Sequence, residues 1–347
     1  MSTALDSIAQ HIAHATEFAP RRFFSNRHLQ TILGNFLRRV DSLPPAETVL
    51  IEVAPAIGDA PSSRIRCDCH WQPADVRASR PTAIIVHGLE GSSNSQYVVG
   101  NANKLWQAGA NIVRMNMRNC GGTEALSSTL YHSGLSGDVG AVMDHFIRLH
   151  GLTSIALIGY SMGGNLVLKL AGDLGALAPR QLRSVIGVSP AIDLGPSADA
   201  LHDPQNRIYE IKFLYALIAR YRRKVALLPH VYDPTRADGI RSIRAFDERI
   251  TAFYSGFTGA DDYYYRAASA RVLERITVPT LILNSADDPF IRLLPESRAK
   301  IAANPSTTFY ESAHGGHCAF LAAPDPSTSY DGYWAEHTLM RFLLEHA

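Results

Sequence analysis

The chain has 347 residues, 46% of them apolar and 19% charged, with a formal net charge of +1. That composition suits a large core and excludes an intrinsically disordered chain, and the balanced charge leaves no electrostatic footprint for nucleic acid. No apolar run reaches the ~18 residues needed to cross a bilayer, so no integral membrane segment is expected.

Asp6, His11 and His14 fall where a secretory leader would need an unbroken apolar core, so a cytoplasmic protein is expected. Residues 1–47 include Phe23-Phe24-Ser25-Asn26-Arg27-His28-Leu29-Gln30-Thr31, too apolar for a free tail, and are expected to pack on the body. Residues 48–53 read as a strand. Residues 64–71 alternate, with Ile65, Cys67, Cys69 and Trp71 on one face and Arg66, Asp68 and His70 on the other. That period of two predicts an antiparallel pair at a sheet edge with one wet face. Residues 82–87, 111–117, 154–159, 184–189 and 279–284 are short, continuous apolar runs, as expected of central parallel strands buried on both faces. Residues 307–311 add another strand. Helical stretches cover 97–107, 135–149, 162–174 and 293–303, and a final helix covers 330–346. The sum is an α/β fold of about eight mostly parallel strands with helices on both faces. Residues 190–275 break this rhythm with a Tyr-, Arg- and Leu-rich, largely helical pattern. They read as a helical cap inserted into a core made of 48–189 and 276–347. The four cysteines, Cys67, Cys69, Cys120 and Cys318, are few and irregularly placed, which predicts free thiols.

Gly159-Tyr160-Ser161-Met162-Gly163 matches Gly-x-Ser-x-Gly, with an apolar run before it and a helical pattern after it. A nucleophile elbow needs that strand–turn–helix, and its glycines avoid collisions in the sharp turn. A serine hydroxyl needs a base to take its proton, and in this architecture the chain order is Ser, acid, His. Asp287 and Asp288 follow a late strand and are both candidates for the acid. His314 and His317 follow the last strand; Gly315-Gly316 gives His317 the freedom to reach Ser161, leaving His314 as a loop residue. No carboxylate or thiol set joins this pair at zinc spacing, so no metal is expected. His87-Gly88-Leu89-Glu90-Gly91 follows the strand after which an oxyanion hole is built, with Leu89 and Met162 N–H groups as donors. His87 reads as structural, and Glu90 as either a loop anchor or a polar pocket residue. Arg118-Asn119-Cys120-Gly121-Gly122-Thr123 lacks the ending of a phosphate loop, so nucleotide binding is not expected. Cys120 reads as a packed thiol. The Tyr263-Tyr264-Tyr265 run reads as packing, with a substrate entrance as the alternative.

The chain resembles the YheT-like α/β-hydrolases, bacterial relatives of the ABHD lipases and esterases. The resemblance rests on Asn26-Arg-His-Leu-Gln-Thr31, His87-Gly-Leu-Glu-Gly-Ser-Ser-Asn94, Arg118-Asn-Cys-Gly-Gly-Thr123, Tyr131-His-Ser-Gly134, Gly159-Tyr-Ser-Met-Gly-Gly-Asn165, Ala286-Asp-Asp-Pro-Phe290 and Gly315-Gly-His317. It implies that Ser161, Asp288 and His317 form the charge relay. The expected activity is that of a cofactor-independent serine carboxylesterase acting on a small acyl ester. An acyltransferase, thioesterase or amidase on the same triad is the alternative, and a non-catalytic binding protein is another.

Overall fold

The computed structural model describes residues 17–56 and 61–347; the leader reading at Asp6, His11 and His14 lies outside them. The strands are β1 (Glu47–Ala54), β2 (Ser63–His70), β3 (Thr82–Val86), β4 (Asn111–Met115), β5 (Ile155–Tyr160), β6 (Leu182–Val188), β7 (Thr280–Ser285) and β8 (Thr307–Ser312). They form one sheet in the order β1-β2-β4-β3-β5-β6-β7-β8. The β1–β2 and β2–β4 pairs are antiparallel and the others parallel.

Period two decides which side each residue serves. Ile84, Val113, Leu157 and Val185 point to one face, where they meet α3 (Ser136–His150) and α4 (Met162–Leu174) through Val142, Phe146, Leu166 and Val167. Their neighbours Ile85, Ile112, Ile158 and Ile186 point to the other, against α2 (Gln96–Gln107) and α9 (Trp334–Glu345). Each fully buried aliphatic side chain contributes about 1.5–3 kcal/mol relative to exposure, against the entropy of ordering it. Phe18 closes the second layer, edge-on to Phe320 at 5.5 Å and Trp334 at 5.6 Å. No helix among the described residues is long and apolar enough to cross a membrane.

The wet face expected of residues 64–71 is dry at its end: Asp68 and His70 are buried. β2 is the second strand, not the edge, and remote donors take the place of water. Ser93 Oγ donates to Asp68 Oδ2 at 2.6 Å, and Arg114 Nη2 donates to His70 Nε2 at 3.2 Å. The four cysteines are free and buried.

Between β6 and β7 the chain runs through α5 (Leu194–Leu201), α6 (Arg207–Leu227) and α7 (Ala260–Ala267). Before α7 the segment includes a π-helical turn, Asp247–Ala252. There Asp247 accepts from Thr251 Oγ1 at 2.7 Å and Tyr264 OH at 2.8 Å. Because β3 and β5 to β8 run parallel, the loops that follow them gather at one edge of the sheet, where open α/β sheets bind ligands.

Candidate active site

Ser161 is the turn between β5 and α4, with φ +54° and ψ −116°. That left-handed backbone is costly for a side-chain-bearing residue and persists only where its surroundings impose it. Here they do. The Ser161 N–H donates to Val188 O at 2.9 Å, and its carbonyl accepts from Asn165 N at 3.1 Å and Ala191 N at 3.2 Å. A Cβ on Gly159 would collide with the Gly163 backbone, and one on Gly163 with the Val86 and His87 carbonyls. Both glycines of the pentapeptide are therefore steric requirements of the turn.

The loop after β3 lies directly on this turn: a Cβ on Gly88 would stand 3.1 Å from Ser161 Cβ. The Gly88 N–H is held by Tyr97 OH at 2.9 Å. Among the described residues, no hydrogen bond occupies the N–H of Leu89 or of Met162. Both residues line the cavity that Ser161 opens into. Glu90 is a loop anchor: with φ +57°, its carboxylate accepts from Tyr131 OH at 2.5 Å and from Arg220 Nε and Nη2 at 2.9 Å each.

His317 Nδ1 lies 2.8 Å from Asp288 Oδ2, with both groups buried. Asp288 Oδ1 accepts from Phe290 N at 3.0 Å and Ile291 N at 2.9 Å, which fixes the carboxylate and leaves Oδ2 for the ring. Asp287 faces elsewhere. It accepts from Ser285 Oγ at 2.8 Å and Gly316 N at 2.9 Å, and its Oδ2 is 3.4 Å from His314 Nδ1. His314 is half exposed, so the two histidines turn to different carboxylates. His317 Nε2 faces Cys318 Sγ at 3.5 Å rather than Ser161 Oγ, to which no hydrogen bond runs. Cys318 Sγ in turn is 3.7 Å from Val188 O, which also accepts the Ser161 N–H at 2.9 Å. Burial disfavours the charged imidazole, but the Cys318 sulfur and the Asp288 carboxylate outweigh it and push His317 up to about 10.

Residues the sequence reading did not assign brace this loop. Thr31 Oγ1, on α1 (Arg27–Phe36), accepts from His317 N at 2.9 Å while donating to Arg27 O at 2.7 Å. Gln30 bonds the Leu321 backbone in both directions, at 2.8 and 3.1 Å. A Cβ on Gly316 would stand 2.6 Å from Arg27 O, so α1 packs on the loop backbone itself. The signal lay in the Asn26-to-Thr31 motif, of which the fold buries the polar side chains Gln30 and Thr31.

The cavity in front of Ser161 measures about 120 Å³. Leu194, Leu201, Phe213, Leu217 and Phe246 line it from the segment between β6 and β7, with Phe290 from the loop after β7. The His317 ring stands behind Phe290, centroids 4.3 Å apart. Tyr263 and Tyr264 are buried and also line the cavity, while Tyr265 is exposed. His87 is structural: burial lowers it to about 4, Nε2 accepts from Met117 N at 3.1 Å, and Nδ1–H donates to Gly88 O at 2.8 Å. Burial pushes the Cys120 thiol up to about 12, which makes it inert. Arg118 pairs with Asp138 through both its Nε and Nη2, a structural use of that loop.

Residues 81–324 match the family described as alpha/beta hydrolase fold. The chain is 31% identical to YheT of Escherichia coli over 318 residues, 90% of this chain and 89% of that protein. It is 28% identical over 277 residues to phospholipase ABHD3 of Bos taurus, covering 78% of this chain and 65% of that one. Among solved structures, 2,6-dihydroxy-pseudo-oxynicotine hydrolase shares the fold with a TM-score of 0.55 at 16% identity, over 87% of this chain and 68% of that one. The chain belongs to the alpha/beta hydrolase fold family, as a YheT-like member of it.

Proposed function

We propose that the protein is a serine carboxylesterase whose reacting groups are Ser161, His317 and Asp288, with Leu89 and Met162 supplying the oxyanion hole. The observation that carries this reading is Ser161 itself. It holds a costly positive-φ backbone at the head of a helix and opens into an apolar cavity, a placement that presents its hydroxyl to a substrate.

In the mechanism, His317 Nε2 leaves the Cys318 sulfur and accepts the Ser161 proton as Oγ attacks the ester carbonyl. The carbonyl π electrons move onto oxygen, and the resulting oxyanion is received by the free N–H groups of Leu89 and Met162. Asp288, fixed by two backbone N–H groups, keeps the proton on Nδ1 and stabilises the imidazolium. Collapse of the intermediate breaks the C–O bond, and His317 gives its proton to the leaving alcohol. Water then enters, loses a proton to His317, and attacks the acyl-enzyme, restoring Ser161 and releasing the acid. The segment 190–275 acts as a cap, and its aliphatic and aromatic lining receives the acyl chain.

The test is a chain-length series of chromogenic esters on the wild type and the Ser161→Ala variant. Turnover that persists in a folded Ser161→Ala protein overturns the reading. Adding alcohol acceptors to the same assay separates hydrolysis from acyl transfer.

A further inference from the structure

The oxyanion loop and the cap meet at one buried charge pair. Glu90 follows Leu89 directly, and its backbone is left-handed at φ +57°. Gly88 on the other side of Leu89 is held by Tyr97 OH and pressed on Ser161, and the Gly91 N–H closes the turn onto Gly88 O at 3.1 Å. What holds Glu90 is not local. Arg220 projects from α6, in the segment between β6 and β7, and grips both carboxylate oxygens of Glu90; the two side chains are 9% and 8% exposed. Tyr131 completes a ring, donating to Glu90 Oε1 and accepting from the Glu90 N–H at 3.3 Å. Further along α6, Lys224 Nζ donates to the carbonyls of Glu124 and Ser127, so the helix is pinned to the core at two points.

From this geometry we infer that Glu90 is a positioning residue for the Leu89 N–H, and that Arg220 couples the seating of helix α6 over the cavity to the assembly of the oxyanion hole. The carboxylate is a peg: Arg220 and Tyr131 fix it, and the peg fixes the left-handed turn that aims the preceding N–H. When α6 lifts, Glu90 loses its bidentate partner and the turn loses its restraint. The enzyme then binds an acyl chain poorly and also stabilises the oxyanion poorly. Hydrolysis is thereby confined to the capped state. The inference rests on the esterase reading above.

The test uses the full chain and three variants, Glu90→Gln, Arg220→Met and the double variant. For each, kcat and KM on one chromogenic ester are measured with the affinity for a trifluoromethyl ketone, whose hemiketal with Ser161 Oγ places an oxyanion in the hole, and with the melting temperature. Each single variant is expected to lose about 10- to 100-fold in kcat, less than removal of an oxyanion donor outright, and a similar factor in ketone affinity. Both single variants melt lower: Arg220→Met leaves the buried Glu90 carboxylate with Tyr131 alone, and Glu90→Gln leaves Arg220 only its longer contact with Glu124, at 3.5 Å. The double variant removes both charges and recovers melting temperature while kcat and ketone affinity stay low. Recovery of activity together with stability would reduce the pair to a structural role and overturn the inference, as would unchanged ketone affinity in folded single variants. Tyr131→Phe, which removes one hydrogen bond to the same carboxylate, is the milder variant if the others do not fold; an unaltered kcat there also counts against it. A wild type without ester turnover refutes the esterase reading itself, which separates the two failures.

Discussion

Replacing Asp288 by Asn changes one atom and removes the charge that orders His317. The Asp288 carboxylate divides its work: Oδ1 serves the Phe290 and Ile291 N–H groups, and Oδ2 serves His317 Nδ1 at 2.8 Å. An amide has a single acceptor oxygen. If that oxygen keeps the two backbone donors, the NH₂ faces Nδ1 and forces the ring proton onto Nε2, which can then no longer accept the Ser161 proton. If the amide is reversed, its NH₂ points at two backbone donors inside a buried site. Either way the charge-assisted bond is lost, about 1.5–3 kcal/mol, and the productive tautomer is lost with it. The expected loss in kcat is about 10³- to 10⁴-fold, which corresponds to about 4–5.5 kcal/mol of transition-state stabilisation. Asp287→Asn keeps an acceptor oxygen for Ser285 Oγ and Gly316 N, so it costs about tenfold or less. Steady-state turnover of both variants on one chromogenic ester, well above the acid limb, reads the difference. A larger defect in the Asp287 variant would refute the assignment and move the acid to that residue.

Three further outcomes follow from the same groups. His317 must be neutral to act as a base, and its surroundings raise it, so kcat/KM falls with acid through a limb above the roughly 6.5 of a free histidine; Cys318→Ala removes one raising group, and a pH profile that fails to move downward contradicts this. Burial raises Asp247 to about 6, so its neutral form is favoured in the fold and its contribution to stability is lost as pH rises through that value. Wild type should therefore lose on the order of 1–2 kcal/mol more than Asp247→Asn between about pH 5 and about pH 7, measured by denaturant melts. Thr31→Val leaves the buried His317 N–H without its acceptor, which costs about 1–3 kcal/mol of stability. It also lowers kcat with little change in KM; a variant with wild-type kcat and melting curve would show that α1 does not hold the loop.

Much of this was legible where local sterics and periodicity act together. Gly159 and Gly163 announce a turn that only glycine permits, between an apolar strand and a helix, and the five continuous apolar runs became the inner strands of the sheet. The loop that carries Gly315-Gly316 sets His317 Nδ1 2.8 Å from Asp288 Oδ2. What escaped was whatever depended on remote partners. Asp68 and His70 read as wet because their donors, Ser93 and Arg114, lie on other elements. Arg220 and Lys224 sit in a basic stretch with Arg222 and Arg223, which looks like a solvated face. Only the folded helix shows two of these cations turned inward and the other two exposed. The wait of His317 Nε2 on Cys318 is likewise a matter of rotamer, which no spacing encodes.

Everything proposed for the site turns on Ser161 as the nucleophile. The most direct measurement is fluorophosphonate labelling of the intact protein, followed by peptide mass mapping and parallel assay of residual ester turnover. One phosphonyl adduct is expected, on Ser161, rising in step with loss of activity, with neither adduct nor turnover in a folded Ser161→Ala variant. An adduct elsewhere, or a wild type that hydrolyses esters while Ser161 stays unlabelled, would contradict it.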